Sequence, residues 1–258
     1  MVELVVLASG SRGNCTLVRA GRTAVLIDAG LSAKQIVERL AAVGQDPRGL
    51  SAILLTHEHI DHTRGVAVLA RRFTVPVLAN AATWQAAEVQ LRDIPAGEFF
   101  VTGTRFTVGS LEVTPFAIPH DAAEPVGFVI ESEGARVGYA TDLGHVTRLV
   151  AARLAGCHAL VFEANHDLAM LMNGPYPWAT KQRVASRTGH LSNEHAAEFL
   201  PQVVGEETEH LVLAHLSETN NDPVLARATV ETALVEAGRT RVSLTTARQD
   251  RPAAAVRL

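Results

Sequence analysis

The sequence predicts an α/β protein with two mixed β-sheets and helices on the outside. Three observations predict it. Short apolar runs alternate with amphipathic helical stretches along the whole chain, the pattern of strands joined by crossing helices. From about residue 104 the texture changes to hairpins, which divides the strands into two halves of similar size. The 258 residues, 47% apolar and 19% charged, suffice for a large core, and no linker or low-complexity stretch interrupts them. One domain over residues 1–258 is expected.

"ELVVLAS" reads as the first strand and "SGSRGNC" as a loop. "TLVRAG" and "TAVLIDAG" are strands split by a glycine turn. "SAKQIVERLAAVG" is a helix, with Ser32 as cap, a stripe of Ile36, Val37 and Leu40, and Gly44 as its end. "LSAILLTH" is an apolar strand. "GVAVLARRF" and "ATWQAAEVQLRD" are helices around a short strand, "PVLA". "RFTVGSLEVTPFAI" forms a hairpin turning at Gly109-Ser110, and "PVGFVIESEGARVGYATD" another turning near Gly134. A helix over 146–155 and the strand "ALVFEA" follow. A polar, proline-rich passage over 165–188 holds one or two helices. Then come a helix after Ser192, the strand "HLVLAHL" and a long helix opened by Asp222 and Pro223. "RVSLTTA" is the last strand.

The formal charge of −4 advertises no basic field for nucleic acid or membrane, though bound cations can supply local positive charge. Two cysteines are no disulfide framework. The start, "MVELVVLASGSRGN", reads as a strand and not a targeting segment, so the cytosol is the expected compartment. No apolar run approaches the roughly 18 residues of a membrane span.

The strongest chemical signal is "LLTHEHIDH", where an apolar strand runs into His57, His59, Asp61 and His62. In an extended segment alternate side chains face one way, so His57, His59 and Asp61 can converge, and His62 follows at the turn. Imidazole and carboxylate suit zinc, manganese or iron.

This run resembles the HxHxDH signature of the metallo-β-lactamase superfamily, and the resemblance extends over the chain. Asp28 in "VLIDAG", His120 in "FAIPHDA", Asp142 in "GYATDLG" and His215 in "LVLAHLS" match its other motifs. The resemblance implies a four-layer αββα sandwich with a two-metal site at one edge. It puts His57, His59 and His120 on one metal, and Asp61, His62 and His215 on the other. Asp142 would bridge the two, and Asp28 would orient a ligand histidine. Two cations about 3.5–4 Å apart can stabilise the attacking and leaving oxygens of a displacement, with an activated hydroxide as nucleophile. "FEANHD", "GHLSNEHAAEFL" and "LAHLS" resemble the ribonuclease Z-like phosphodiesterase branch. "ASGSRGNC", "HDAAEPVGF", "TDLGH", "GPYPW" and "GHLSN" bring the chain closer to the YycJ/WalJ-type group, probable nucleases with 5′-to-3′ exonuclease activity attributed to some members. Residues 121–141 are too few for the tRNA-gripping arm of ribonuclease Z, and residues 143–214 too few for the domain inserted in β-CASP nucleases.

The resemblance thus implies a two-metal phosphodiesterase acting on DNA or RNA. A small-molecule or cyclic phosphodiesterase is the alternative, and a thioester or lactone hydrolase a more distant one. In the ribonuclease Z branch the histidine matching His190 is assigned to the leaving group, which gives His190 a general-acid role and Asp142 a part in water activation. Substrate contacts are expected from Ser11 and Asn14, in a loop that could form an anion nest, from His166 at the site edge, and from Lys181 and Arg183 along a phosphate backbone. His145 is placed near the site's mouth, on a solvated loop, and His195 in the first turn of a helix. Homo-oligomerisation stays open.

Overall fold

A computed structural model describes residues 1–258. The first half runs β1 (Val2–Ala8), β2 (Cys15–Ala20), β3 (Thr23–Ile27), α1 (Ala33–Ala42), β4 (Ala52–Leu54), α2 (Ile60–Thr63), α3 (Val66–Phe73), β5 (Val77–Ala79), α4 (Ala81–Ala86) and β6 (Gly97–Phe99). The second runs β7 (Phe106–Val108), β8 (Leu111–Ala117), β9 (Val126–Ser132), β10 (Ala135–Ala140), α5 (Arg148–Leu154), β11 (Ala159–Glu163), α6 (Leu168–Asn173), α7 (Trp178–Val184), α8 (Asn193–Val203), β12 (His210–Ala214), α9 (Pro223–Glu236), β13 (Ser243–Thr246) and β14 (Val256–Arg257).

The strands form two seven-stranded sheets, ordered β14-β1-β2-β3-β4-β5-β6 and β13-β12-β11-β10-β9-β8-β7. Each is antiparallel on one side and parallel on the other. The division near residue 104 is therefore the boundary between sheets, except that β14 returns to pair with β1. This is the αββα architecture expected from the sequence, and no helix is long and apolar enough to cross a membrane.

Layering explains the unbroken apolar strands. In β1, Leu4 and Val6 face the core between the sheets, while Val5 and Leu7 face the helices outside. Both faces are buried, so polar alternation is lost. In the second sheet Leu160 and Phe162 face α5, α8 and α9, and Val161 faces the inter-sheet core.

Four details depart from the sequence reading. The "ATWQAAEVQLRD" helix stops at Ala86 and relaxes into turns that end at Asp93, in left-handed backbone (φ 60°). β6 was not foreseen because all three residues are exposed at a sheet edge, where no burial pattern is imposed. The one-turn helix α2 bends the chain just past His59. Finally, "RVSLTTA" does not close the chain, because reciprocal backbone bonds between Val2 and Leu258 zip the C-terminus onto β1.

Candidate active site

The candidate ligands stand where strands end on one edge of the sandwich, the position in which loop-borne groups converge. Asp28 follows β3, the His57–His62 run follows β4, Asp142 follows β10, Glu163 ends β11 and His215 follows β12. Asp28, Asp142 and His215 all adopt left-handed backbone, with φ of 59°, 60° and 57°. Three non-glycine residues in left-handed backbone where strands of both sheets end on one edge of the sandwich are a mark of function. Each reversal is held: Thr56 N–H donates to Asp28 Oδ1, Leu143 N–H to Glu163, and Asn165 Nδ2 to the carbonyl of His215 (2.7 Å). Gly30 lets the Asp28 loop touch the histidine run, since a Cβ there would sit 1.6 Å from the Asp61 carbonyl oxygen.

The side chains gather into overlapping sets. His57, His59 and His120 present ring nitrogens within 4.8 Å of one another, and so do the donor atoms of Asp61, His62 and His215. Asp142 lies between the sets. Its Oδ1 is 3.1 Å from His215 Nδ1 and 3.8 Å from His120 Nε2, while its Oδ2 is 3.3 Å from His62 Nε2. The seven residues expected to converge therefore do so.

Hydrogen bonds fix the tautomers of four histidines. A carboxylate only accepts, so His62 Nδ1 carries the proton it gives to Asp28 Oδ2 (2.7 Å). Thr56 Oγ1 donates to the same carboxylate oxygen (2.8 Å) and thus accepts from His57 Nδ1 (2.9 Å). His120 Nδ1 donates to the Gly189 carbonyl (3.1 Å) and His215 Nδ1 to Glu163 Oε1 (3.0 Å). In the neutral rings Nε2 is then the unprotonated nitrogen, and for His57, His120 and His215 its lone pair is left to the cluster, whereas that of His62 faces Asn14 Nδ2 (3.0 Å). His57 Nε2, His215 Nε2 and Asp142 Oδ2 are buried with no hydrogen-bond partner. Uncompensated buried polar atoms are costly, and here they share one small space, as a divalent cation would require. These residues fit a metal.

The electrostatics agree. Burial pushes His57 well below the usual histidine range, and neighbouring His62, His120 and His59 reinforce this; burial also lowers His120. Burial acts against positive charge on His62 and His215 too. There Asp142 and the adjacent carboxylates prevail, raising His62 strongly and His215 to about 10. A site that holds protons this firmly is rich in negative potential, which bound cations would neutralise.

His190 adjoins both sets. Its ring centroid is 5.1 Å from that of His120 and 5.0 Å from that of His215. Its Nδ1 donates to Glu163 Oε1 (2.8 Å) and lies 3.8 Å from Asp142 Oδ1, and the side chain is 21% exposed. Gly189 permits this approach, because a Cβ there would meet the Arg183 and Val184 carbonyls at 2.2 Å.

Sequence reasoning missed Glu163 and Thr56. Glu163 is fully buried, and one of its oxygens serves both His190 and His215. Its signal was an acid inside the otherwise apolar "ALVFEA". Burial would raise its pKa, but the His190 and His215 interactions hold it below the usual carboxylate range. Thr56 relays Asp28 to His57, signalled only by its place before the first ligand.

The expected substrate contacts divide. The "SGSRGN" loop is no anion nest, because its amides are spent: Gly10 N–H on Asn14 Oδ1, Arg12 N–H on Gln249, Gly13 N–H on Gly10 and Asn14 N–H on Asp61. Ser11 is exposed at the tip. Asn14 is 1% exposed and turns its Nδ2 to His62 Nε2 (3.0 Å) and Asp61 Oδ2 (3.4 Å), against the ligands and not toward solvent. His166 is also 1% exposed, so it is not a rim residue; burial pushes it down to about 4, and its Nε2 lacks a partner. Lys181 turns aside to the Met172 carbonyl (2.7 Å). Arg183 is exposed and pairs with Asp121 (2.5 Å), whose other oxygen is 3.3 Å from His120 Nε2.

Comparison with known proteins agrees with this geometry. A family model described as a β-lactamase superfamily domain matches residues 23–216. Exodeoxyribonuclease YycJ of Bacillus anthracis is 42% identical over 235 residues, covering 90% of this chain and 89% of that protein. Exodeoxyribonuclease WalJ of Streptococcus pneumoniae serotype 2 is 38% identical over 236 residues, covering 90% and 88%. Among solved structures, the metallo-β-lactamase fold protein YhfI of Bacillus subtilis superposes with a TM-score of 0.76 at 16% identity, over 98% of this chain and all of that one. Zn(2+)-bound PqqB of Methylobacterium extorquens gives 0.76 at 21% identity, over the whole of both chains.

Proposed function

The chain belongs to the β-lactamase superfamily domain family, and from that premise we propose that it is a two-metal phosphodiesterase, an exonuclease of the 5′-to-3′ type acting on nucleic acid, DNA first. The single observation that carries the choice of phosphodiester chemistry is the His190–Glu163 pair set against the ligand cluster. A lactone or thioester expels a stabilised leaving group, whereas a phosphodiester expels an alkoxide that benefits from a proton donor.

In this proposal His57, His59 and His120 would hold one cation, and Asp61, His62 and His215 the other, with Asp142 between the two sets. The donor set of nitrogen and carboxylate oxygen suits Zn²⁺ or Mn²⁺, with iron acceptable. When bound, the cations supply positive charge for the phosphoryl oxygens and an activated water. The chain's own groups do the rest. Asp142 orients the attacking water. Glu163 accepts from His190 Nδ1–H and fixes the ring's orientation, and His190, as general acid, gives its Nε2 proton to the leaving oxygen. Asp28, through Thr56 and directly, keeps His57 and His62 aimed inward, and Asn14 steadies Asp61 and His62. Arg183 is the candidate for a flanking phosphate, exchanging Asp121 for substrate.

The test uses purified protein with Mn²⁺ or Zn²⁺ and 5′- and 3′-labelled single- and double-stranded oligonucleotides, beside bis-nitrophenyl phosphate and a thioester. Stepwise release from the 5′ end is expected. Thioester cleavage without phosphodiester turnover would refute the proposal. His190→Ala should cost about 10²–10³-fold on the oligonucleotide and far less on the activated nitrophenyl ester; equal losses would remove His190 as proton donor.

A further inference from the structure

Behind the segment that carries His190 lies a second concavity. It is a cleft of about 470 Å³ between the start of α5 and the outer face of α8, walled by Ala185–Arg187. Its size falls within the range of small-ligand sites, about 300–1,000 Å³. The floor is apolar, with Leu191 and Phe199 buried and Ala151 beside them. The rim is polar and cationic. Arg148 and Arg187 stand on it, and neither guanidinium makes an ion pair or hydrogen bond within the chain. Glu198 is the one acid in the lining, opposite these two arginines, His145 and His195.

The lining is not a loose surface dent. His145 Nδ1 donates to the Arg187 carbonyl (2.8 Å), and a Cβ on Gly144 would meet that carbonyl oxygen at 2.3 Å, so the two walls are locked together. The cleft also abuts the catalytic machinery. Gly144 N–H bonds to the Pro119 carbonyl beside His120, and the backbone N–H of Leu191, in the floor, bonds to Glu163 Oε2 (3.2 Å). His145 and His195, which have no part in the metal cluster, thereby acquire a common location.

Two free guanidinium groups above a flat apolar floor fit an anion joined to an apolar ring system. Arginine matches phosphate geometry and stacks on planar groups. We propose that this cleft binds a free nucleoside monophosphate, its phosphate between Arg148 and Arg187 and its base on Leu191, Phe199 and Ala151. The choice of a nucleotide rests on the exonuclease reading, since a mononucleotide is what such an enzyme releases; the cleft and its charges do not. An occupant would press on the segment that carries His190 and so report product to the catalytic pair.

The experiment is calorimetric titration of the metal-loaded protein with dAMP, deoxyadenosine and inorganic phosphate. One saturable dAMP site is expected, with deoxyadenosine and phosphate each at least tenfold weaker. Arg148→Ala and Arg187→Ala are both exposed and should each weaken dAMP about tenfold, and Ala151→Leu should block the floor. No saturation with dAMP, or binding indifferent to both arginines, as for dAMP held at the metal centre, overturns the proposal. The outcomes are independent of turnover: dAMP binding in a protein without nuclease activity would refute the exonuclease reading alone, and nuclease activity without this site would refute the site alone.

Discussion

Replacing Glu163 with glutamine removes one charge and changes almost no volume, which makes it a sharp probe of the His190 pair. Oε1 accepts from His190 Nδ1 (2.8 Å) and His215 Nδ1 (3.0 Å), while Oε2 accepts from the backbone N–H groups of Leu143 (2.6 Å) and Leu191 (3.2 Å). Four donors face the carboxylate. An amide can accept only on its oxygen side, so whichever way the glutamine turns, its NH₂ confronts two donors. Each donor so stranded costs roughly 1–3 kcal/mol. For a chain of this size that loss should appear as a drop in Tm of about 5 °C or more. The kinetic effect is separate. Losing the carboxylate weakens the hydrogen bond that orients His190, and efficient proton donation is worth about 10²–10⁴-fold. The expected result, measured at saturating metal, is a loss of kcat of about 10²-fold on an oligonucleotide and under about tenfold on bis-nitrophenyl phosphate. Equal losses on both substrates would mean that Glu163 serves only His215 and the fold.

Two other perturbations reach different parts of the site. Asp28→Asn replaces with NH₂ one of the two oxygens that accept from Thr56 N–H (Oδ1) and from Thr56 Oγ1 and His62 Nδ1 (Oδ2), so it should lower metal affinity by about 10–100-fold, read by chelator competition; unchanged affinity would show that His57 and His62 hold their orientation without it. Arg183→Ala should weaken oligonucleotide binding and flatten its logarithmic salt dependence by about 0.7, the contribution of one phosphate contact on a single strand; an unaltered slope would leave Arg183 with Asp121 alone.

The candidate ligands were legible because ligand chemistry is restricted to a few residue types, and their convergence in one cluster is what the structure adds. Adjacency in the chain gave His57 to His62, and the resemblance to the superfamily's other motifs gave Asp28, His120, Asp142 and His215. What failed to show was whatever depends on burial and direction. Glu163 belongs to no run of polar residues, and its importance appears only when β11 brings it under both His190 and His215. Asn14 was read from its place in a glycine-rich loop and His166 from its place after a strand, yet packing of the loops around them leaves 1% of each accessible. Similarly β6, whose three residues are all exposed, left no periodic mark.

The sheets also reveal a repeat that the amino acids conceal. β1, β2 and β3 form an antiparallel meander followed by parallel β4, β5 and β6; β8, β9 and β10 do the same before parallel β11, β12 and β13. Asp28 and Asp142 occupy matching places, just past the third strand of each unit, and both have φ near 60°. The tight left-handed reversal is what the topology needs where a meander gives way to the first parallel crossover, and aspartate tolerates it better than most residues. The surroundings then separate the two. Asp28 meets Thr56 N–H and the Thr56 hydroxyl, and spends its oxygens holding ligand histidines from behind. Asp142 meets no such donors, and its Oδ2 is left bare between the two ligand sets. One structural solution, used twice, gives one aspartate that orients the clustered histidines and another whose carboxylate is left open to the cluster.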